Sequence, residues 1–343
     1  MDIYNLEYNQ LIDELKANNI ASFRAKQIWN WLYVNFVDSF DKMTNLDQKT
    51  LNFLKNNYKL NPLNIIKHQK AKDQTEKILS KLDDGETIET VLMKYDYGYS
   101  VCVTTQIGCK IGCSFCASHL GGFKRNLETG EIVKQIIFFA KKLKKINQRV
   151  SHVVIMGIGE PLDNLENVFK FINIINDQNG LKIGARHITL STSGIVPKFK
   201  DIMNYDKQIN LAISLHASNN ETRSKIMKIN NVYNIEAILD ATKEYIKKTN
   251  RRVSFEYILL KNINDSLNDA NNLVDLLRGI NCHVNLIPFN TVEEYDYQTS
   301  DYNKIQDFYQ VLKNKNIQVS IRNSKGQDID GACGQLRRKS KND

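Results

Sequence analysis

Cys109-Lys110-Ile111-Gly112-Cys113-Ser114-Phe115-Cys116 places three thiols within eight residues, separated by three residues and then by two. Three soft ligands on one loop suit an iron–sulfur cluster or zinc, and the missing fourth ligand decides between them. A closed structural zinc site takes four protein ligands, commonly as two paired knuckles, and the chain has no second Cys-x-x-Cys and no His-x-His pair. A [4Fe-4S] cluster held by three cysteines leaves one iron open to a substrate, which matches the ligands present.

Around this loop the composition sets broad limits. At 343 residues the chain can bury a full core, with room for one large α/β domain and a smaller companion. A formal net charge of +9 and a pI near 9.0 suggest an acidic partner, with nucleic acid the leading candidate and plain solubility the bland alternative. Asp2, Glu7, Asp13 and Glu14 interrupt the first residues, so neither a signal nor a transit peptide is expected, and no run approaches membrane-spanning length. Six cysteines, three of them in one loop, fit a reducing cytoplasm better than a disulfide framework.

In chain order, residues 1–60 read as a small helical domain: Leu11, Leu15 and Ile20, then Phe23, Ile28, Trp29, Leu32 and Phe36, fall at helical spacing. Arg24, Lys26 and Gln27 share the second helix with Trp29 and Trp31, an arrangement open to RNA contact or to ordinary core packing. Residues 61–98 read as a linker hairpin, with strands at Lys77–Leu82 and Glu86–Lys94 joined through Asp83-Asp84-Gly85. From residue 99 to 343 strands and helices alternate. The predicted strands are Tyr99–Gln106, Ser151–Met156, His187–Ser191, Asn210–His216, Val253–Leu260 and His283–Pro288, with a last one at Gln318–Arg322. Repeated βα units with apolar strands demand a parallel sheet covered by helices. The expected fold is therefore α/β, a partial (β/α)6 barrel, with a doubly wound sheet as the alternative.

Unusual residues collect where these strands end, the face that carries the active site in barrels of this kind. Gly157-Ile158-Gly159-Glu160-Pro161 is a poor dinucleotide fingerprint, because it lacks the third glycine and puts Glu-Pro where a pyrophosphate would sit. It suits a tight turn, or carbonyls and a Glu160 carboxylate accepting from an ammonium group. Ser191, Ser214, His216 and Asn290 are short polar groups at strand ends, suited to ribose hydroxyls or a carboxylate, or to turns and caps. Lys124 and Arg125 follow Gly121-Gly122-Phe123 in a loop open to RNA phosphate or to solvent. Cys102 lies in the strand leading to the thiol loop, and Cys333 sits in the glycine-flanked segment Asp330-Gly331-Ala332-Cys333-Gly334.

The thiol spacing, with an aromatic residue before the last Cys, resembles that of the radical S-adenosylmethionine (SAM) enzymes, whose open iron chelates the amino and carboxyl groups of SAM. A longer ordered set resembles one branch of them. Glu89-Thr-Val, Cys102 through Cys109, Gly157 through Pro161, Ser191-Thr-Ser-Gly194, Ile213-Ser-Leu-His216, Asn285 through Asn290 and Asp328 through Leu336 are similar to the radical-SAM adenine methyltransferases of 23S ribosomal RNA. The similarity runs from Phe23-Arg-Ala-Lys-Gln-Ile28 to Leu336.

That resemblance implies a cluster on Cys109, Cys113 and Cys116, and SAM bound by Gly159, Glu160, Ser191, Ser214, Leu215, His216 and Asn290. It implies two SAM molecules per turnover. One methylates Cys333; the other is cleaved to a 5′-deoxyadenosyl radical that takes hydrogen from the S-methyl group, and the methylene radical adds to the electron-poor C2 of adenine. Cys102 then releases the product by forming a transient disulfide with Cys333, and Glu89 accepts the proton from the modified carbon. A flavodoxin-type electron donor, 23S rRNA and tRNA are the implied partners, in the cytoplasm with no membrane. A related branch methylates C8 and confers antibiotic resistance; there Ala typically follows the Gly-Glu pair. Pro161, Ser193 and Pro288-Phe289 are of the C2 type, whereas Ser118-His119 and Leu92-Met-Lys-Tyr95 depart from it.

Overall fold

A computed structural model describes residues 1–337; residues 338–343 lie outside the described part. Three helices open the chain, α1 (Tyr8–Ala17), α2 (Arg24–Tyr33) and α3 (Gln48–Asn57). Their apolar stripes face inward: Leu11 and Leu15 of α1 and Ala25, Ile28, Trp29, Leu32 and Tyr33 of α2 are buried. Trp29 is fully enclosed, its ring 4.3 Å from Tyr33 and 5.3 Å from Tyr8, which makes it a core side chain. Trp31 lies on the other face and donates Nε1–H to Asn45 Oδ1 at 2.7 Å.

Strands β1 (Asn64–Lys70), β2 (Glu76–Lys81), β3 (Thr87–Tyr95) and β4 (Gly98–Cys102) form an antiparallel meander. The expected linker hairpin is thus a three-stranded extension, and it continues into the barrel sheet because β3 pairs with β4 from Val91–Cys102 to Tyr95–Gly98. The extra strand β1 escaped prediction for a physical reason. It is an edge strand, mostly exposed, whose Lys67, His68, Gln69 and Lys70 show no apolar alternation.

A small pair, β5 (Gln106–Ile107) and β6 (Arg125–Asn126), brackets the thiol loop. Then follow α4 (Thr129–Lys144), β7 (Val150–Ile155), α5 (Leu165–Asn176), β8 (Ile188–Thr192), α6 (Phe199–Asn204), β9 (Asn210–Ser214), α7 (Asn220–Ile226), α8 (Ile235–Thr249), β10 (Val253–Leu259), α9 (Leu267–Leu277), β11 (Cys282–Pro288), α10 (Tyr302–Asn314) and β12 (Gln318–Ile321). The large sheet is ordered β1-β2-β3-β4-β7-β8-β9-β10-β11-β12, parallel from β4 onward. Neighbours in the sheet follow chain order from edge to edge. A doubly wound sheet reverses its order at a switch point, and this one does not, so the partial barrel holds.

The N-terminal helices and the barrel share one continuous apolar core. Asn5 Oδ1 accepts the Gly130 N–H at the start of α4 at 2.6 Å, and Asp2 pairs with Lys134 on the same helix. A Cβ on Gly180 would come within 2.8 Å of Trp29 Nε1, so the segment after α5 can close on α2 only because that residue is glycine.

Candidate active site

A cleft of about 940 Å³ opens at the C-terminal ends of the parallel strands. Cys109, Cys113 and Cys116 line it together with Gly159, Glu160, Ser191, Ser214, His216 and Cys333. Residues from five strands and two loops converge there, as the strand-end clustering in the sequence predicts.

The thiol loop is docked on the cleft from both sides. Ser114 N–H donates to the Ile226 carbonyl at 3.0 Å at the end of α7, and Ala117 N–H donates to the Gly334 carbonyl at 2.7 Å. Ser118 Oγ donates to the Leu336 carbonyl at 2.9 Å, and Tyr295 Oη donates to the Cys116 carbonyl at 3.0 Å beside a stacked His119. Ser118 and His119 therefore knit the thiol loop to its surroundings.

The donor set fits a cluster. Burial pushes the Cys109 thiol up to about 12 and raises Cys113 and Cys116 as well, so these side chains stay protonated until a metal takes the proton's place. Among the described residues no three His, Cys, Asp or Glu side chains converge tightly enough to grip a single ion. Three thiolates can serve three irons of a cubane and leave the fourth open, whereas a closed zinc site takes a fourth protein ligand.

Opposite the thiols, Glu160 is 3% exposed and has no basic partner among the described residues. Its Oε1 accepts the Leu162 N–H at 3.0 Å and its Oε2 the Ser193 N–H at 2.7 Å. Burial raises its pKa against these hydrogen bonds. Ser193 Oγ is buried beside it without a well-formed hydrogen bond. An ammonium group brought here would be the charge partner this carboxylate lacks. Glycine is needed next to it for packing: a Cβ on Gly157 would lie 2.6 Å from the Val103 carbonyl, and Gly159 holds φ +110° with Gln106 2.6 Å from the same position.

His216 adopts a left-handed φ of +60° at the end of β9, and its Nδ1 accepts the Ile258 N–H at 3.0 Å. That bond leaves the ring proton on Nε2. Burial, then the nearby Arg223, lowers its pKa to about 3, so it acts as a neutral donor. Leu215 does not line the cleft. Its side chain is fully buried in the core, and its backbone bridges Glu256 and Arg223.

Cys333 lies between this cleft and a second cavity of about 740 Å³ lined by Cys102, Asn290, Met93, Tyr95 and Tyr97. Cys102 and Cys333 are free thiols that share this cavity. Solvent reaches Cys333 along the cleft although protein surrounds it; burial pushes its thiol up to about 11, and Arg322 pulls it back. Cys102 is enclosed and pushed to about 12, first by burial and then by Cys333. Asn290, expected at the cosubstrate, lines this second cavity and holds the Cys333 loop: Nδ2 donates to the Cys333 carbonyl at 3.1 Å, and Oδ1 accepts from Gln327 at 2.8 Å.

Glu89 lines neither cavity. It is 1% exposed, forms a 3.0 Å ion pair with Lys77, and accepts the Arg337 N–H at 3.0 Å. Sequence reasoning also passed over Glu256 and Arg322, which line the cleft and lie 3.4 Å apart. Glu256 carried a signal, being the one charged residue in the apolar run Val253–Leu260.

Barrel, thiol loop and cleft together define a radical-SAM enzyme. A model of the Radical SAM superfamily matches residues 103–276, and one of the Ribosomal RNA large subunit methyltransferase N-terminal domain matches residues 1–60. The crystal structure of a radical SAM methyltransferase from Sphaerobacter thermophilus superposes with a TM-score of 0.94 at 38% identity, covering 98% of this chain and 99% of that one. The "Probable dual-specificity RNA methyltransferase RlmN" of Staphylococcus aureus strain JH9 is 52% identical over 339 residues, 99% of this chain and 93% of its own length, and that of strain Newman matches equally. The chain belongs to the RlmN family of radical-SAM methyltransferases, whose cofactors are a [4Fe-4S] cluster and SAM. No helix among the described residues is long and apolar enough to cross a membrane.

Proposed function

We propose that this protein methylates C2 of an adenosine in 23S rRNA, and of an adenosine in tRNA, with Cys333 as the methyl carrier. The observation that carries the reading is the position of Cys333 on the wall common to two cavities, one holding the cluster thiols and the other Cys102. A carrier must meet the methyl donor on one side and the base on the other. The dual specificity named for the Staphylococcus aureus relative supports both RNA substrates.

When bound, the cluster and SAM supply a carbon radical able to activate an S-methyl group. Cys109, Cys113 and Cys116 hold the cluster; Glu160 faces the SAM ammonium, while Ser191, Ser214 and His216 offer hydrogen bonds to its polar groups. Arg322 favours the Cys333 thiolate that accepts the first methyl group. Once the proton on the modified carbon and the unpaired electron have left the adduct, the Cys102 thiolate attacks Cys333 Sγ; the S–S bond forms as the bond from that sulfur to the methylene carbon breaks, and the carbon leaves with the electron pair and takes up a proton to become the methyl group. Glu89 takes the proton from the modified carbon, which requires the segment after Cys333 to shift, because Glu89 lines neither cavity and accepts the Arg337 N–H of that segment. A flavodoxin-type protein delivers the electron, and the reaction belongs to the cytoplasm. Pro161, which starts a 3-10 turn capped by Glu160, is of the C2 type rather than the C8 type.

Mass mapping of RNA treated anaerobically with the enzyme tests the assignment. Methylation at C2 of one adenosine in each RNA is expected. Methylation at C8 would move the protein to the other branch, and unmodified RNA in the presence of SAM cleavage would overturn the substrate.

A further inference from the structure

Arg223 is fully buried on α7, directly under the cleft. Its guanidinium makes five hydrogen bonds, and every acceptor is neutral. Nε donates to the Leu215 carbonyl at 3.0 Å; Nη1 donates to Asn230 Oδ1 at 3.0 Å and the Tyr233 carbonyl at 3.1 Å. Nη2 donates to the Ser193 carbonyl at 2.8 Å and the Ser214 carbonyl at 3.2 Å. Arg223 thereby ties the ends of β8 and β9, two walls of the cleft, to α7. Among the described residues no carboxylate pairs with it; the titratable groups that feel its charge are Cys113 and His216, both on the wall of the cleft. The thiol loop reaches the same helix through the Ser114 bond to Ile226.

A buried cation without a counter-charge is costly, and an anion brought close to it offsets part of that cost. Three thiolates leave a [4Fe-4S] core net negative, and one-electron reduction adds a further negative charge. A fixed positive charge nearby favours the reduced state, since net charge and surroundings set the potential of such clusters.

We propose that Arg223 is the fixed counter-charge of the cluster, a positioning residue that raises the cluster's reduction potential and stabilises its binding. It touches neither substrate nor iron; its charge acts through the Cys113 side and its fork holds the strand ends. The proposal rests on the cluster assignment and not on the RNA substrate.

Asn230→Asp tests it with little change of shape, because it sets a carboxylate where the guanidinium now meets an amide oxygen. Arg223→Lys is the companion variant, which keeps the charge and loses the fork. The full chain, loaded anaerobically with iron and sulfide, is titrated by EPR-monitored potentiometry. Asn230→Asp is expected to lower the midpoint potential and speed loss of iron to a chelator, while Arg223→Lys stays nearer to wild type. An iron-loaded Asn230→Asp protein with the wild-type potential would overturn the proposal. So would an equal or larger drop in Arg223→Lys, which would assign the effect to the hydrogen bonds. If Asn230→Asp holds no cluster, thermal melting of the iron-free protein decides. Asn230→Leu is the control, because it loses the same Nδ2 bonds to the Asn220 carbonyl and Ser224 Oγ without adding charge: a melting temperature for Asn230→Asp above that of Asn230→Leu supports an unmet charge at Arg223, and one at or below it contradicts the proposal. Wild type that takes up no iron would overturn the cluster assignment together with the proposal.

Discussion

Lys77 and Glu89 form an ion pair at 3.0 Å with side chains 2% and 1% exposed, and the pair grips both flanks of the Cys333 loop. Lys77 Nζ donates to the Asp330 carbonyl at 3.0 Å, and Glu89 Oε2 accepts the Arg337 N–H at 3.0 Å. Three residues before Cys333 and four after it are thus tied to one buried pair on β2 and β3. Lys77→Met should leave the Glu89 charge buried and alone, at a cost of about 3–5 kcal/mol, and Lys77→Met with Glu89→Leu should recover most of it. Urea unfolding measures the difference, and faster amide exchange across residues 326–337 in the single variant checks the link to the loop. A single variant as stable as wild type would show that the pair contributes nothing.

The two lone thiols should fail differently. Cys333→Ala is expected to take up no methyl group and to form no RNA adduct. Cys102→Ala should still be methylated at Cys333 and then stall with RNA bound through that sulfur, because the resolving thiol is missing. A denaturing gel of Cys102→Ala should show a nuclease-sensitive upward shift absent from the double variant. Normal turnover by Cys102→Ala would make Cys102 a structural residue.

Cys333 should react slowly near neutrality. With its thiol pushed to about 11, the thiolate fraction at pH 7 is small and grows as pH rises, by about tenfold per unit until the pKa is reached. Alkylation at Cys333, followed by mass spectrometry of its peptide, should therefore climb from pH 7 to 10 without levelling. Arg322→Met removes the cation that favours the thiolate and should slow the reaction about tenfold at a given pH. A plateau below pH 9 would contradict this.

RNA affinity should fall steeply with salt, but the surface cations should not count equally. Lys26 and Lys124 are exposed, and Lys26→Ala or Lys124→Ala should each flatten the slope of log affinity against log salt by about one if they meet phosphate. Arg24 is engaged with Asp47 at 2.7 Å, Gln27 and the Asn45 carbonyl, so Arg24→Ala should change the slope less than either lysine. Binding titrations at several salt concentrations measure this, and an Arg24 effect larger than both would place the RNA on the opposite side of that helix.

The cluster loop, the βα alternation and the polar strand ends were legible in the sequence because each is local. Three thiols spaced by three and two residues can reach one cluster whatever lies around them, and apolar periodicity follows from the pitch of helix and strand. The same locality explains what was missed. Strand β1 carries no apolar pattern because most of its residues are exposed, and spacing along the chain does not show that the Leu215 side chain lies in the core or that Asn290 holds the Cys333 loop. Only the closing of the sheet brings Lys77, Glu89 and the segment around Cys333 together across some 250 positions, and sets Arg223 without a counter-charge beneath the thiols. Spacing along the chain governs what neighbours can do together; the charges and distances at this site come from parts of the chain that meet only when the barrel forms.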